Sequence, residues 1–257
     1  MYQTIDPKEL IVFITGATAG FGKALARRFA GAGAKVIVTG RRADRLQSLC
    51  EELGDRAHAL TFDVRNRQEV EAAVAGLPEA FKKVNVLVNN AGLALGVSSA
   101  DQAEISNWET MIDTNCKGLI YCTHALLPGM AARRDGHVIN LSSVAGSYPY
   151  PGGNVYGATK AFVTQFSLNL RSDLNNKAVR VTSIEPGMAE TEFSEVRFLG
   201  DTAKAAEAYK GMKPMSAEDI AESFFFAAPL PRHVNINRLE VMPVQQAFAG
   251  FLVDRDS

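Results

Sequence analysis

The chain of 257 residues is 47% hydrophobic and 21% charged, which excludes a disordered or fibrous protein and predicts one globular domain over residues 1–257. Its 27 basic and 28 acidic residues leave a net charge of −1, too little to gather nucleic acid or anionic lipid, so small molecules are the expected partners. The longest apolar runs, such as Val84 to Val88 and Phe224 to Ala228, fall far short of the roughly 20 residues of a membrane-spanning helix.

The first ten residues carry Asp6, Lys8 and Glu9 and show no cationic-then-apolar signal pattern, which predicts a cytoplasmic protein. From there short β-branched runs alternate with longer helical stretches. Ile11–Thr15, Lys35–Thr39, His58–Phe62, Val84–Asn89, His137–Leu141, Arg180–Ile184 and Arg238–Met242 read as strands. Their continuous apolar character suits strands buried on both faces, and Leu25 with Phe29, or Leu46, Leu49 and Leu53, repeat at helical spacing between them. The predicted fold is α/β: a doubly wound, Rossmann-type parallel sheet of seven strands with helices on both faces. Such sheets bind ligands outside the carboxyl ends of their strands, so functional residues are expected just after each strand.

After the first strand come Gly16, Thr18, Gly20, Phe21 and Gly22, then the helical run Lys23 to Ala32. Glycines there let the backbone approach a pyrophosphate seated at a helix N-terminus. The second strand ends in Arg41 and Arg42, where an NAD enzyme usually places an acid for the ribose hydroxyl; a guanidinium, aided by the Thr18 hydroxyl, suits a 2′-phosphate and predicts NADP(H). Asp63 and Val64 follow the third strand, either bracketing adenine or, for the Asp, capping the next helix. Asn89, Ala91 and Gly92 follow the fourth and complete the expected cofactor contacts on this side.

Asn115 lies inside a helical stretch, Trp108 to Met130, where an amide is mildly unfavourable; a water linking Lys160 to solvent would account for it. Tyr156 and Lys160 stand one helical turn apart, a pair common on solvated helices, but Ser143 at the end of the preceding strand brings a third group to the same crevice. The phenol serves as acid or base, the ammonium draws its pKa down toward the working range, and Ser143 holds the substrate oxygen, with Ser142 as the competing choice. Tyr156 and Lys160 also count among the cofactor contacts, as do Pro186, Gly187 and Thr191 after the sixth strand, on the nicotinamide side. The long irregular stretch from about Met188 to Met215 is a candidate lid, and Cys50, Cys116, Cys122 and the scattered histidines predict free thiols and no metal site.

With Thr15–Gly22, Asn89–Gly92, Ser143, Tyr156, Lys160 and Pro186–Thr191 in this order, the chain resembles the short-chain dehydrogenase/reductase superfamily over essentially its whole length. Within it, Thr15–Gly22, Trp108–Asn115, Gly152–Phe162 and His233–Asn237 are similar to the NADP-dependent 3-hydroxy acid dehydrogenases, which act on serine, L-allo-threonine and 3-hydroxypropionate. The resemblance implies catalytic roles for Ser143, Tyr156, Lys160 and Asn115, a small β-hydroxy acid substrate and a homotetramer. Ala189–Phe193, Arg238–Val244 and Asp254–Asp256 resemble sulfoacetaldehyde reductases equally, and a reductase of larger carbonyl compounds is a further alternative. Either small substrate carries an anion about two carbons from the reacting carbon, for which Arg197 in the lid is the expected cation, with Tyr150 or Asn154 as polar helpers.

Overall fold

A computed structural model describes residues 3–248 of the chain; Asp254–Asp256 and the first two residues lie outside the described residues. The expected strands all form, with ends moved by a residue or two: β1 (Ile11–Ile14), β2 (Lys35–Gly40), β3 (Ala57–Thr61), β4 (Val86–Asn89), β5 (Gly136–Leu141), β6 (Val179–Pro186) and β7 (Arg238–Val241). They make one parallel sheet in the order β3-β2-β1-β4-β5-β6-β7. The chain winds outward from β1 to β3 and then crosses back to β4, so the order reverses between β1 and β4, where the ends of both strands leave a crevice.

Successive side chains of a strand point to opposite faces, and both faces here are apolar. Val12 and Ile14 of β1 turn toward α1 (Gly20–Gly31), α2 (Ala43–Leu53) and α9 (Ala217–Ala227), packing with Leu25, Phe29, Leu46 and Phe224. Phe13 turns the other way, toward α3 (Arg67–Ala75), α5 (Leu119–Arg133) and α6 (Asn154–Asp173), among Val70, Leu126, Met130 and Leu170. Phe13, Phe29 and Phe224 are fully buried, each contributing roughly 1.5–3 kcal/mol through burial. The strand ends that carry the site therefore rest on a rigid floor.

Two stretches differ from the sequence reading. Trp108 to Met130 is not one uniform helix: α4 (Ile105–Ile112) and α5 are joined by a π-helical turn over Asp113–Gly118. The segment Met188–Met215 is not irregular throughout but carries two short helices, α7 (Glu192–Arg197) and α8 (Thr202–Glu207). The Thr191 hydroxyl caps α7 by accepting from the Phe193 amide (3.2 Å), and Asp201 caps α8 by accepting from the Lys204 amide (3.0 Å). Leu199 and Gly200, both at positive φ, end the first before the second begins. Helices this short carry too little apolar periodicity to show in a sequence. A bridge between Ala189 and Met215 closes the base of this segment.

Candidate active site

At the carboxyl end of β1 the loop to α1 is tied to the end of β4. The buried Thr15 hydroxyl donates to the Val88 carbonyl (3.3 Å) and accepts from the amides of Asn90 and Ala91 (2.9 Å each). Asn90 answers through its side chain, whose Nδ2 donates to the carbonyls of Thr15 (2.7 Å) and Gly16 (3.1 Å). Gly16 sits at φ +69°, and a Cβ there would stand 3.0 Å from the Ala91 Cα, so only glycine fits. Gly22 does not line the cavity; a Cβ on it would stand 2.3 Å from the Gly16 carbonyl oxygen, so its task is to let α1 pack on the loop. No side chain caps α1, which leaves its first amides as donors for an anion. The glycine cradle, these amides and the arginines beyond fit a dinucleotide carrying a 2′-phosphate.

The cavity these residues floor has a volume of about 760 Å³ and runs from Arg41 and Arg42 to Tyr150 and Arg197. At its nucleotide end the Arg42 guanidinium holds the Thr18 hydroxyl from Nε (3.1 Å) and Nη2 (2.6 Å), while Arg41 extends into solvent 4.0 Å from Asp63. Thr18 thus accepts from Arg42 and keeps its own proton to donate. Asp63 and Val64 line the cavity, but the Asp63 carboxylate is committed to the Arg65 guanidinium (2.6 Å), which holds it below the usual carboxylate range. The capping alternative for Asp63 is overturned: Asn66 caps α3, its Oδ1 accepting from the amides of Gln68 (3.1 Å) and Glu69 (3.3 Å). Asn89 is also corrected. Its side chain turns into the core, donating to Thr123 and Asn140, and the cavity is lined instead by its neighbours Asn90, Ala91 and Gly92.

The other end is built on β5 and α6. Ser142 and Ser143 point apart, as the pleat requires. The buried Ser142 hydroxyl is engaged with the Lys160 carbonyl and Thr164 (2.8 Å each), whereas Ser143 Oγ makes a long bond to the Pro186 carbonyl (3.3 Å), accepts from the Ala145 amide (3.1 Å) and faces the Tyr156 hydroxyl. Ser143 is therefore the serine able to turn to a ligand. Lys160 Nζ donates to the Leu141 carbonyl (2.8 Å) and stands 5.8 Å from the centre of the Tyr156 ring. Burial pushes Lys160 down to about 8 and Tyr156 up to about 12, with Arg197 and then Ser143 drawing the phenol back. Within the protein alone burial of the phenol outweighs the pull of Arg197 and Ser143, and the positive nicotinamide expected to act with Lys160 would add to that pull.

Arg197, at the end of α7, faces this pair. Its guanidinium lies 5.3 Å from the Tyr156 ring centre and 5.4 Å from that of Tyr150, and donates to the Tyr150 hydroxyl. Among the described residues its buried Nε has no hydrogen-bond partner. Phe193, one turn earlier, packs on Tyr156 with ring centres 5.8 Å apart. Asn154 is not brought here: it donates to the Ser98 carbonyl (3.1 Å), accepts from the Val155 amide (2.7 Å) and lies outside the cavity lining, because its side of α6 faces the loop at Ser98 while Tyr156 faces the cavity.

Asn115 is buried in the π-helical turn, and its side chain pins the loop after β4, accepting from the Leu93 amide (2.9 Å) and donating to the Leu93 carbonyl (2.9 Å) and Thr159 (3.0 Å). Both amide protons are spent, so the water expected between Asn115 and Lys160 has only the remaining lone pair of Oδ1 to use on this side chain. A Cβ on Gly92 would stand 3.2 Å from that oxygen and 3.6 Å from Lys160 Nζ, so this glycine keeps open the space between them. Pro186, Gly187 and Thr191 line the cavity as expected. A Cβ on Gly187 would stand 2.3 Å from Gln246 Oε1, which reaches past it to accept from the Met188 amide (2.7 Å), so a side chain there would displace that glutamine.

The sequence reading missed Asn90, Glu192, Phe193 and Gln246. Asn90 is recoverable from its place beside Asn89; the other three act through partners far away along the chain. Cys50, Cys116 and Cys122 are free thiols. Among the described residues no three metal-ligating side chains are grouped to hold an ion, and no helix is long and apolar enough to cross a membrane.

Residues 10–200 match the family model described as short chain dehydrogenase. The chain is 59% identical over 247 residues to the NADP-dependent 3-hydroxy acid dehydrogenase YdfG of Salmonella typhi, covering 96% of this chain and 100% of that protein. It is 56% identical over 246 residues to the serine 3-dehydrogenase of Agrobacterium fabrum, covering 96% and 98%. Among solved structures, the closed form of serine dehydrogenase complexed with NADP+ superposes with a TM-score of 0.95 at 57% identity, covering 96% of this chain and 100% of that one.

Proposed function

The chain belongs to the short chain dehydrogenase family, and from that premise we propose that it is an NADP-dependent oxidoreductase converting small 3-hydroxy acids, L-serine, L-allo-threonine and 3-hydroxypropionate among them, to their carbonyl forms and back. Relatives similar over nearly the whole chain support the activity. The observation that carries the choice of an anionic substrate is Arg197, a guanidinium beside Tyr156 whose buried Nε has no partner among the described residues. A buried donor left unpaired costs about 1–3 kcal/mol, which a substrate carboxylate two carbons from the reacting carbon removes.

Gly16, Thr18, Gly20, Phe21, Arg41, Arg42, Asn90, Ala91, Gly92, Pro186, Gly187 and Thr191 hold the cofactor, and Gly22 shapes its cradle. When bound, the nicotinamide cofactor would supply a hydride acceptor for the carbinol carbon, and in its reduced form a hydride donor for the carbonyl. Ser143 leaves its long bond to Pro186 and donates to the substrate oxygen, fixing the carbinol against Tyr156. The Tyr156 phenolate takes the hydroxyl proton as the carbonyl forms, and the phenol returns it on reduction. Lys160, held by the Leu141 carbonyl, keeps a positive charge under the phenol, and Arg197 both favours the phenolate and anchors the carboxylate. Asn115 fixes the loop at Leu93 and the helix at Thr159 so that the space around Lys160 stays open.

The test is a panel of L-serine, L-allo-threonine, 3-hydroxypropionate, isethionate and a neutral alcohol of similar size, each with NADP+ and NAD+, followed by nicotinamide absorbance. The hydroxy acids with NADP+ are expected to give the highest kcat/KM. A lead of more than about tenfold for isethionate, roughly 1.4 kcal/mol of transition-state preference, would move the enzyme to sulfonates, and a lead for the neutral alcohol would remove the role of Arg197.

The same reading places the enzyme in the cytoplasm as a homotetramer. Free thiols support the compartment. Exposed Ile105, Ile112 and Ile120 along α4 and α5, and Phe162 on α6, support association with further copies of this chain. Light scattering that finds a monomer would overturn the assembly.

A further inference from the structure

The helix α7 touches both ends of the cavity. At its C-terminal end Arg197 faces Tyr156 and Tyr150. At its N-terminal end Thr191 abuts the glycine loop, where a Cβ on Gly20 would stand 3.4 Å from the Thr191 Cβ. Beside it Glu192 reaches to the arginines after β2: both its oxygens accept from Arg45 Nη1 (3.0 Å each), and Oε2 accepts from Arg42 Nη1 (3.4 Å). Arg42 is also the guanidinium that holds Thr18. The arginine assigned to the 2′-phosphate thus already has a carboxylate beside it, delivered from the lid across 150 residues of sequence.

We propose that Glu192 is a specificity-determining residue that competes with the 2′-phosphate for Arg42 and so couples occupation of the nucleotide end to the position of α7 and Arg197. This rests on the NADP reading above. A 2′-phosphate at Arg42 and the Glu192 carboxylate are like charges on one guanidinium, so binding of the phosphate loosens the grip of Glu192 on Arg42 and leaves it to Arg45. The carboxylate therefore lowers affinity for the phosphorylated cofactor while leaving that for the unphosphorylated one unchanged. The lid senses which of the two is bound.

The experiment uses nucleotide fragments, so that no turnover enters the readout. Binding of 2′,5′-ADP and of 5′-ADP to wild type and Glu192→Gln is measured by calorimetry at low ionic strength, with hydrogen exchange of α7 followed in parallel. Wild type is expected to prefer 2′,5′-ADP. Glu192→Gln is expected to bind 2′,5′-ADP roughly two- to tenfold more tightly, the range of one or two exposed ion pairs, with 5′-ADP unchanged. In wild type, 2′,5′-ADP but not 5′-ADP is expected to alter exchange in α7, and the variant to lose this difference. No preference for 2′,5′-ADP in wild type would defeat the NADP reading itself. A preference that Glu192→Gln leaves unchanged or weakens would overturn the role of Glu192 alone.

Discussion

The two ends of the cavity are built in opposite ways. The nucleotide end is mostly backbone: glycines, helix amides and carbonyls, tied by Thr15 and Asn90 within the β1 and β4 ends and resting on a fully buried floor. The chemical end is side chain, and its covering groups, Phe193 and Arg197, come from a six-residue helix that stands outside the sheet and is tied down by side chains: the Thr191 cap and the bonds of Glu192 to Arg42 and Arg45. Rigid backbone suits a ligand part that is always the same, while side chains can be varied to suit the substrate. Substitutions at one end should therefore act on folding and cofactor affinity, and at the other on turnover and KM.

The largest effect expected is that of Tyr156→Phe: loss of kcat by about 10²–10⁴-fold, with 2′,5′-ADP binding unchanged by calorimetry. A matching loss of binding would erase the division between the ends. Next, Arg197→Ala should raise KM for L-serine roughly 10–100-fold, about 1.4–2.7 kcal/mol by the tenfold rule, with little change for a neutral alcohol and none in thermal stability. At the other end Gly22→Ala drives a Cβ into the Gly16 carbonyl and should cost about 1–3 kcal/mol, lowering Tm by roughly 2–4 °C per kcal/mol. Gly31→Ala, where nothing lies within 4 Å, is its control and should not destabilise. Asn154→Ala, outside the cavity, should leave KM for every substrate within about twofold, less than 0.5 kcal/mol.

A pH experiment sharpens the contrast from the side of stability. The Lys160 pKa falls from 10.5 in the unfolded chain to about 8 in the folded one. Below about 8 the ammonium is charged in both states and its burial is a cost. Between about 8 and 10.5 the unfolded chain binds a proton that the folded chain has released, so the contribution of this group to stability rises with pH, and above 10.5 both are neutral. Urea midpoints of the cofactor-free protein should show this rise, and Lys160→Met should remove it. A slope that persists in the variant would assign it to another group.

Legibility in the sequence follows the same division. The strands, the glycine loop and Tyr156 with Lys160 were readable because each is encoded within a few neighbouring residues: an apolar run, a spacing, one helical turn. Asn89 was misread because position after a strand does not say whether a polar side chain turns to the cavity or the core, which the Thr123–Asn140 pair decided; of the two readings of Asp63, the helix cap fell to Asn66 while its place at the cavity stood. Arg197 was found from the chemistry a small anion demands, but not its stacking on Tyr156. Glu192 and Gln246 have partners 147 and 58 positions away and carry no local signal at all.

The π-helical turn at Asp113–Gly118 bears on how this enzyme can be altered. Such a turn is an α-helix carrying one surplus residue, poorer in its hydrogen bonding than the regular form. Deleting a single residue there would let α4 and α5 run on as one helix, yet it would remove the widened turn that carries Asn115 and draw its side chain away from Leu93 and Thr159. A selection for heat resistance alone would favour such deletions and return well-folded proteins that do nothing, so any stabilisation screen on this scaffold needs turnover as a second criterion from its first round.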